Sequence, residues 1–174
     1  MKTIYLSILI LLFNTGLKAQ TVDIFNAVRA NDSAAVKSYI KAGKKIDSLN
    51  QSGHTLLILA VYNNSDAVAK LLIDAKAVVN LQDQAGNSAL MGACFKGYKP
   101  LAALLLANGA SANLVNSNGA SALFFASTFG HADLVQLLLD HKADKTMRDR
   151  FGKQPVDYAR GQGNELIISM LEQN

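Results

Sequence analysis

The stretch "NGASALFFASTFGHADLVQLLL" at residues 118–139 decides the fold. Gly119 marks a tight turn, a short run of small and apolar residues follows, Gly130-His131 interrupts it, and a second run rich in leucine completes the segment. Read alone, this is a hairpin of two short helices. Its neighbours repeat it: Gly53, Gly86, Gly119 and Gly152 are each 33 residues apart, as are Ala27, Ala60, Ala93, Ala126 and Ala159. A fixed period of this length means stacked supersecondary units, each too small to bury its apolar face alone.

The columns of the period have physical meanings. The first glycine column suits a turn that needs positive φ. Leu57, Leu90, Leu123 and Val156, with Ile24 before them, form an apolar column of the first helix. Val68, Leu101, Leu134 and Ile167, and likewise Leu72, Leu105, Leu138 and Leu171 after Tyr39, form columns of the second helix. Between the helices lie Asn31, Asn64, Gly97, Gly130 and Gly163, the two residue types that a left-handed helix end favours. Asp32 and Ser65 then read as N-caps, and Pro100 is tolerated early in its helix. Sparse aromatics, recurrent Ala and Leu, and two prolines point to an all-α chain of closely packed helices.

The pattern resembles the ankyrin repeat, whose signature runs approximately D-x-x-G-x-T-P-L-H-x-A-A, then G-H, V-V-x-L-L-L and G-A-D-V-N. The segments "SGHTLLILAVYNNSDAVAKLLIDAKAVVN", "AGNSALMGACFKGYKPLAALLLANGASAN" and "NGASALFFASTFGHADLVQLLLDHKAD" carry the likeness, which extends from about Val22 to Leu171. The resemblance implies an all-α ankyrin-repeat solenoid of helix-turn-helix units joined by β-hairpin-like loops. About five repeats are expected including caps, with units near 20–49, 50–82, 83–115, 116–148 and 149–174. Two features depart from the family. T-P-L-H becomes "TLLI", "SALM", "SALF" and "QPVD", so its histidine is missing throughout. After the second helix, Gly43 and Gly109 follow the family but Lys76 and Lys142 do not, which predicts left-handed strain of order 1 kcal/mol at each lysine.

Residues 1–19, "MKTIYLSILILLFNTGLKA", are set apart by Lys2, an apolar run from Ile4 to Phe13 and a small-residue end. This is the layout of a secretory signal peptide with cleavage expected after Ala19, and the run is too short for a permanent membrane anchor. A periplasmic or secreted protein is expected, with the repeat domain at 20–174. The first unit reads as an N-terminal cap starting at about Thr21 or Val22, and "LIISMLEQN" as a C-terminal cap with Glu172 on a more polar outer face, which together predict a complete soluble solenoid.

Removing the leader takes away Lys2 and Lys18 and leaves 15 basic against 13 acidic side chains, too weak an excess for phosphate-backbone binding as a main task. Nucleic acid is therefore not an expected partner. A lone Cys94 forms no intramolecular disulfide and reads as a small buried thiol, with redox sensing or nucleophilic catalysis as the alternatives. His54, His131 and His141 occupy different places in the period without metal-ligand spacing, and His131 reads as structural at a helix start. "GNSAL" and "GASAL" lack the second glycine of a nucleophile elbow, and "GQG" is too short for a dinucleotide fingerprint. Neither cofactor nor metal is expected, and a thiol-dependent or hydrolytic enzyme is the disfavoured alternative.

What remains is a surface. In the ankyrin family the hairpin tips and first helices line a concave face that commonly binds proteins. The matching positions are Gln51, Ser52, His54, Tyr62 and Asn63; Gln84, Asn87, Phe95 and Lys96; Ser117, Asn118, Thr128 and Phe129; and Arg150, Phe151 and Lys153. Tyr62 and Phe95 share a column and Phe129 lies one position on, so either a stripe of anchors or gap-filling between helices is expected. Phe124 and Phe125 are expected in the core. Lys142, Lys145, Arg148, Arg150 and Lys153 form a basic cluster around the last hairpin, either a solvated face or a match for an acidic partner. Asn31, Asn50 and Asn63 stand in formal glycosylation triplets, relevant only in a eukaryote. The expectation is a monomer that binds a protein partner, with an inhibitor or immunity-type protein as the alternative.

Overall fold

The computed structural model describes residues 23–173, so the leader and its cleavage site lie outside the described residues. Among the described residues ten helices run in hairpin pairs: α1 (Ile24–Arg29) with α2 (Ser33–Lys41), α3 (Leu56–Tyr62) with α4 (Asp66–Asp74), α5 (Ala89–Lys96) with α6 (Lys99–Ala107), α7 (Ala122–Thr128) with α8 (Ala132–Asp140), and α9 (Pro155–Gly161) with α10 (Glu165–Glu172). First helices stack in the order α1, α3, α5, α7, α9, and second helices in the order α2, α4, α6, α8, α10. The alanine column explains the close stacking of the first row: Ala60, Ala93, Ala126 and Ala159 are fully buried, and a larger side chain there would push neighbouring backbones apart. Leu72, Leu105, Leu134 and Leu138 fill the space between the two rows. Truncating one of them to alanine removes about 2–5 kcal/mol.

Helix ends follow the predicted columns. Asn31, Asn64, Gly97, Gly130 and Gly163 all have positive φ. In each case the next residue's N–H returns to the carbonyl of the alanine column, from Asp32 to Ala27 (2.9 Å) through Asn164 to Ala159 (3.0 Å). This bond satisfies a carbonyl that would otherwise be orphaned at the helix end. The first helix begins at Ile24 with Asp23 as N-cap, its carboxylate accepting from Phe25 N–H, slightly later than the expected Thr21 or Val22.

Ser65 departs from expectation. It occupies the N-cap position of α4, yet its hydroxyl is buried without a hydrogen-bond partner. At ψ of 84–86° the side chains of Asp32 and Asn164 reach helix N–H groups, whereas at Ser65 (ψ 67°) the side chain is one bond shorter. The cap comes from the preceding unit instead, where Asn31 Oδ1 accepts from Val68 N–H at 3.2 Å.

The family's missing histidine column is replaced by packing. Ile58, Met91 and Phe124 are buried there, Phe124 with its edge toward Tyr158 at a centroid distance of 5.9 Å. Phe124 lies in the core as expected, and Phe125 is half-buried against it. A second device links the units at the far end of each repeat. Asp47, Asn80 and Asn113 accept from the N–H groups of Val78, Ser111 and Asp144 at 3.1, 2.9 and 2.8 Å. The two asparagines also donate to the carbonyls of Gly109 and Lys142. At the end of the stack Arg160 joins α9 to α10 through Asp157 and Glu172, while Leu166 is exposed.

Candidate partner-binding surface

Among the described residues four hairpins project from the stack, each built on one side chain three residues before its glycine. Asn50, Asp83, Asn116 and Asp149 place Oδ1 between two backbone N–H groups: those of Ser52 and His54, Ala85 and Asn87, Asn118 and Ala120, and Phe151 and Lys153, at 2.8–3.0 Å. The glycines at 53, 86, 119 and 152 turn the chain at φ of 74–79°. Sequence reasoning overlooked this Asx column although its 33-residue spacing was present. Isolated antiparallel bridges, Leu49 with Thr55 and Gln82 with Ser88, are all that is strand-like among the described residues.

The last three tips form a continuous ladder. Ser117 N–H donates to Ala85 carbonyl at 3.0 Å and Arg150 N–H to Asn118 carbonyl at 2.9 Å. Close approach is possible because Gly86 lacks a Cβ, which would lie 2.8 Å from Ser117 N. The first tip is spaced differently: the side chain of Gln84, not backbone, covers Gly53. Gln51 and Ser52 border an open depression with Asp23, Phe25, Arg29 and Leu49.

Behind the tips the aromatic column divides. Phe95 and Phe129 meet edge-to-face at 4.8 Å between centroids and remain 40% and 48% exposed, with Phe125 beneath them at 6.3 Å from Phe95. Tyr62 pairs instead with His54, at 5.7 Å, and lies over Gly92, where a Cβ would be 3.4 Å from its Cζ. Gly92 shares a column with Leu59, Phe125 and Tyr158, so the missing side chain opens a notch that the tyrosine ring fills. Burial and then the nearby Asp83 carboxylate raise the Tyr62 hydroxyl above its usual pKa. The three rings, expected either as a stripe of anchors or as gap-fillers, therefore divide into an exposed phenylalanine pair and a half-buried Tyr62–His54 pair.

Polar positions divide in the same way. Asn63 donates to Leu59 carbonyl and Thr128 to Phe124 carbonyl, which turns both toward their own helices. Asn87 accepts from Asn116, joining two hairpins. Asp83 is nearly covered, with His54 Nε2 at 3.8 Å from Oδ2. Ser117, Asn118, Lys96, Arg150, Phe151 and Lys153 are exposed. In the last hairpin Arg150 lies 4.7 Å from the Phe151 ring and Lys153 lies 5.5 Å from the Tyr158 ring. Burial of Asp149 opposes its ionisation, but the Tyr158 hydroxyl and the N–H groups of Lys153 and Phe151 outweigh burial and hold the carboxyl below its usual range. Of the remaining basic cluster, Arg148 donates to Gly152 carbonyl and Lys145 to Gln173 carbonyl.

Two family models, both described as ankyrin repeats, match residues 24–116 (3 copies) and 105–159 (many copies). The chain belongs to the ankyrin-repeat family. A comparison with curated proteins finds no relative. Ankyrin repeats are generally protein–protein interaction modules and typically non-enzymatic.

The ankyrin frame also places the candidate chemical groups. Cys94 is fully buried in α5, and burial pushes its thiol well above the usual range, away from the thiolate that nucleophilic chemistry needs. His131 is the N-cap of α8 and its imidazole covers Gly97 of the preceding unit, where a Cβ would lie 2.7 Å away. His141 bonds its own helix at Leu137 carbonyl. Among the described residues no three His, Cys, Asp or Glu side chains converge as metal ligands, and no helix is long and apolar enough to cross a membrane.

Proposed function

We propose that this ankyrin-repeat protein is exported to the periplasm or beyond, with residues 1–19 removed after Ala19, and acts there as a monomer by stoichiometric recognition of another protein. The hairpin tips and first helices supply the recognition face and no reaction occurs on it. The observation that carries the reading is the Phe95–Phe129 pair, two large rings held edge-to-face yet left about half exposed beside a ladder of polar hairpin tips. Rigid aromatic anchors surrounded by polar groups are the residues that dominate protein interfaces. A specific interface buries about 800 Å² on each partner, an area several adjoining repeats can present.

The test is crosslinking of wild-type and Phe95→Ala/Phe129→Ala protein in the cell envelope, with the helical circular dichroism of both compared. The expected result is loss of the crosslinked partner at unchanged helicity, while Cys94→Ser retains it. Capture that survives the double variant rejects this face. Mass measurement of the mature N-terminus tests export: a chain that keeps Met1 and fractionates with the cytoplasm rejects it.

A further inference from the structure

The chain carries a formal net charge of +4, and its recognition face is not evenly charged. The Asx-turn column requires Asp or Asn at the base of each hairpin and turns that side chain inward. The two carboxylates that occupy it are therefore engaged in holding turns: Asp83 by the N–H groups of Ala85 and Asn87, and Asp149 by those of Phe151 and Lys153 together with the Tyr158 hydroxyl. The Asp83 side chain retains 6% of its exposure, and Asp149 is buried. The cations of the same face point outward. Arg150, Lys153 and Lys96 are exposed, and among the described residues none forms an ion pair. Arg150 and Lys153 instead rest on aromatic rings, which steadies the side chains and leaves their charge unneutralised. Phe95 lies on α5 and Phe129 is the C-cap of α7, and the Arg150–Lys153 tip belongs to the adjoining unit. An exposed apolar anchor and uncompensated positive charge thus occur in adjoining units of one face, and the two carboxylates of its Asx column are covered.

We infer that this face takes an acidic segment of a protein partner, which sets one bulky apolar side chain against Phe95 and Phe129 and its carboxylates beside Arg150 and Lys153. The inference rests on the recognition role proposed above. Charge complementarity decides the sign of the partner, since at the Phe95–Phe129 units a basic segment would meet three free cations while the two Asx-column carboxylates are covered. A nucleic acid strand is the weaker match, because its regular phosphates need a longer basic track than one hairpin tip and one lysine.

The experiment selects a displayed library of short random peptides on the full mature protein, then measures the winners as labelled synthetic peptides by fluorescence anisotropy. A single-stranded oligonucleotide serves as the polyanion control. The expected winners combine Asp or Glu with one Phe, Leu or Trp. They bind at least about tenfold more weakly to Phe129→Ala and to Arg150→Glu/Lys153→Glu, and weaken as salt is raised. The oligonucleotide is expected not to compete. Neutral or basic winners lost in Phe129→Ala overturn the acidic inference and leave the recognition face standing. Winners indifferent to every variant reject both. An empty selection, or an oligonucleotide that competes as well as the peptides, overturns the inference.

Discussion

Four second helices end in the same turn with two different residue types, which isolates the cost of a left-handed backbone. Gly43, Lys76, Gly109 and Lys142 all have positive φ, of 66°, 69°, 86° and 60°. Each donates its N–H three residues back, to Ile40, Ile73, Leu106 and Leu139, and the following N–H closes on Tyr39, Leu72, Leu105 and Leu138. The turn is therefore a Schellman motif in all four units, and the lysines have not altered it. For an L-residue this conformation costs about 1–2 kcal/mol. A glycine instead loses more chain entropy on folding, about 0.5–1 kcal/mol. The difference leaves Lys76→Gly and Lys142→Gly stabilising by roughly 0.5–1 kcal/mol each. Both lysines are exposed and neither joins an ion pair among the described residues, so little else is removed.

Gly43→Ala and Gly109→Ala should have the opposite sign and similar size. No heavy atom stands within 4 Å of an added Cβ at either position, so a steric clash does not confuse the result. In a domain of this size about 1 kcal/mol moves the melting temperature by roughly 2–4 °C. The four single variants and the Lys76→Gly/Lys142→Gly pair would be unfolded by heat and by urea, followed by circular dichroism. The two lysine sites are far apart, so their effects should add. A lower midpoint for the lysine variants, or no loss for the glycine variants, refutes the strain argument.

The remaining predictions concern the links between units. Asp47 accepts from Val78 N–H as Asn80 and Asn113 do from their partners, but it has no amide to donate onward to the Lys76 carbonyl, so Asp47→Asn should add a bond and raise stability by about 0.5–1 kcal/mol in urea unfolding. Asn31→Gly keeps the left-handed turn and removes only the cap on Val68, and a loss of about 1 kcal/mol is expected, with Asn31→Ala losing more because strain is added. Tyr158→Phe removes the hydroxyl that binds Asp149 and should cost about 1 kcal/mol at neutral pH. The folded Asp149 carboxyl titrates below its ordinary value of about 3.9, so its contribution is complete above that pH and disappears as pH falls through the lowered folded value. The folded Tyr158 hydroxyl, raised chiefly by its bond to Asp149, titrates above about 10, so its contribution holds below that pH and is lost in stronger alkali. Stability-versus-pH curves of Tyr158→Phe should be flatter at both extremes, and curves parallel to wild type reject the coupling.

Much of the fold was legible because repetition converts single residues into columns. One Gly at position 119 is ambiguous, but four at a 33-residue spacing demand a shared backbone state, and all four have it. The lysines in the second-helix turn were legible for the same reason: neighbouring units state what the backbone requires, so an exception reads as strain. What the columns concealed was any bond that crosses from one unit to the next. Asn31 reads within its own unit as a helix end, whereas its side chain caps α4 of the following unit; Ser65, one position before that helix, reads as a cap and is none. Local sequence rules assign a cap to the nearest suitable side chain, and stacking brings a more distant one closer.

The same limit explains why the site was less legible than the fold. Position in a repeat fixes where a Cα stands on the concave face, but the direction of a long side chain depends on the unit beside it. Tyr62 and Phe95 share a column and have the same starting point. The neighbour of Tyr62 carries Gly92, a notch that receives the ring; the corresponding neighbour of Phe95 carries Phe125, which fills that space and leaves Phe95 standing outward against Phe129. A glycine in a helix interior costs about 1 kcal/mol relative to alanine. Here it also withdraws one aromatic from the surface while a phenylalanine in the equivalent place raises another. The exposed anchor is thus a property of a residue pair in adjacent repeats, and Gly92→Leu, which fills the notch, should turn Tyr62 out and extend the aromatic surface by one unit toward the first hairpin. Quenching of Tyr62 fluorescence by iodide, measured against Tyr62→Phe, reads that change: increased quenching is expected, and unchanged quenching would mean that column position alone sets exposure.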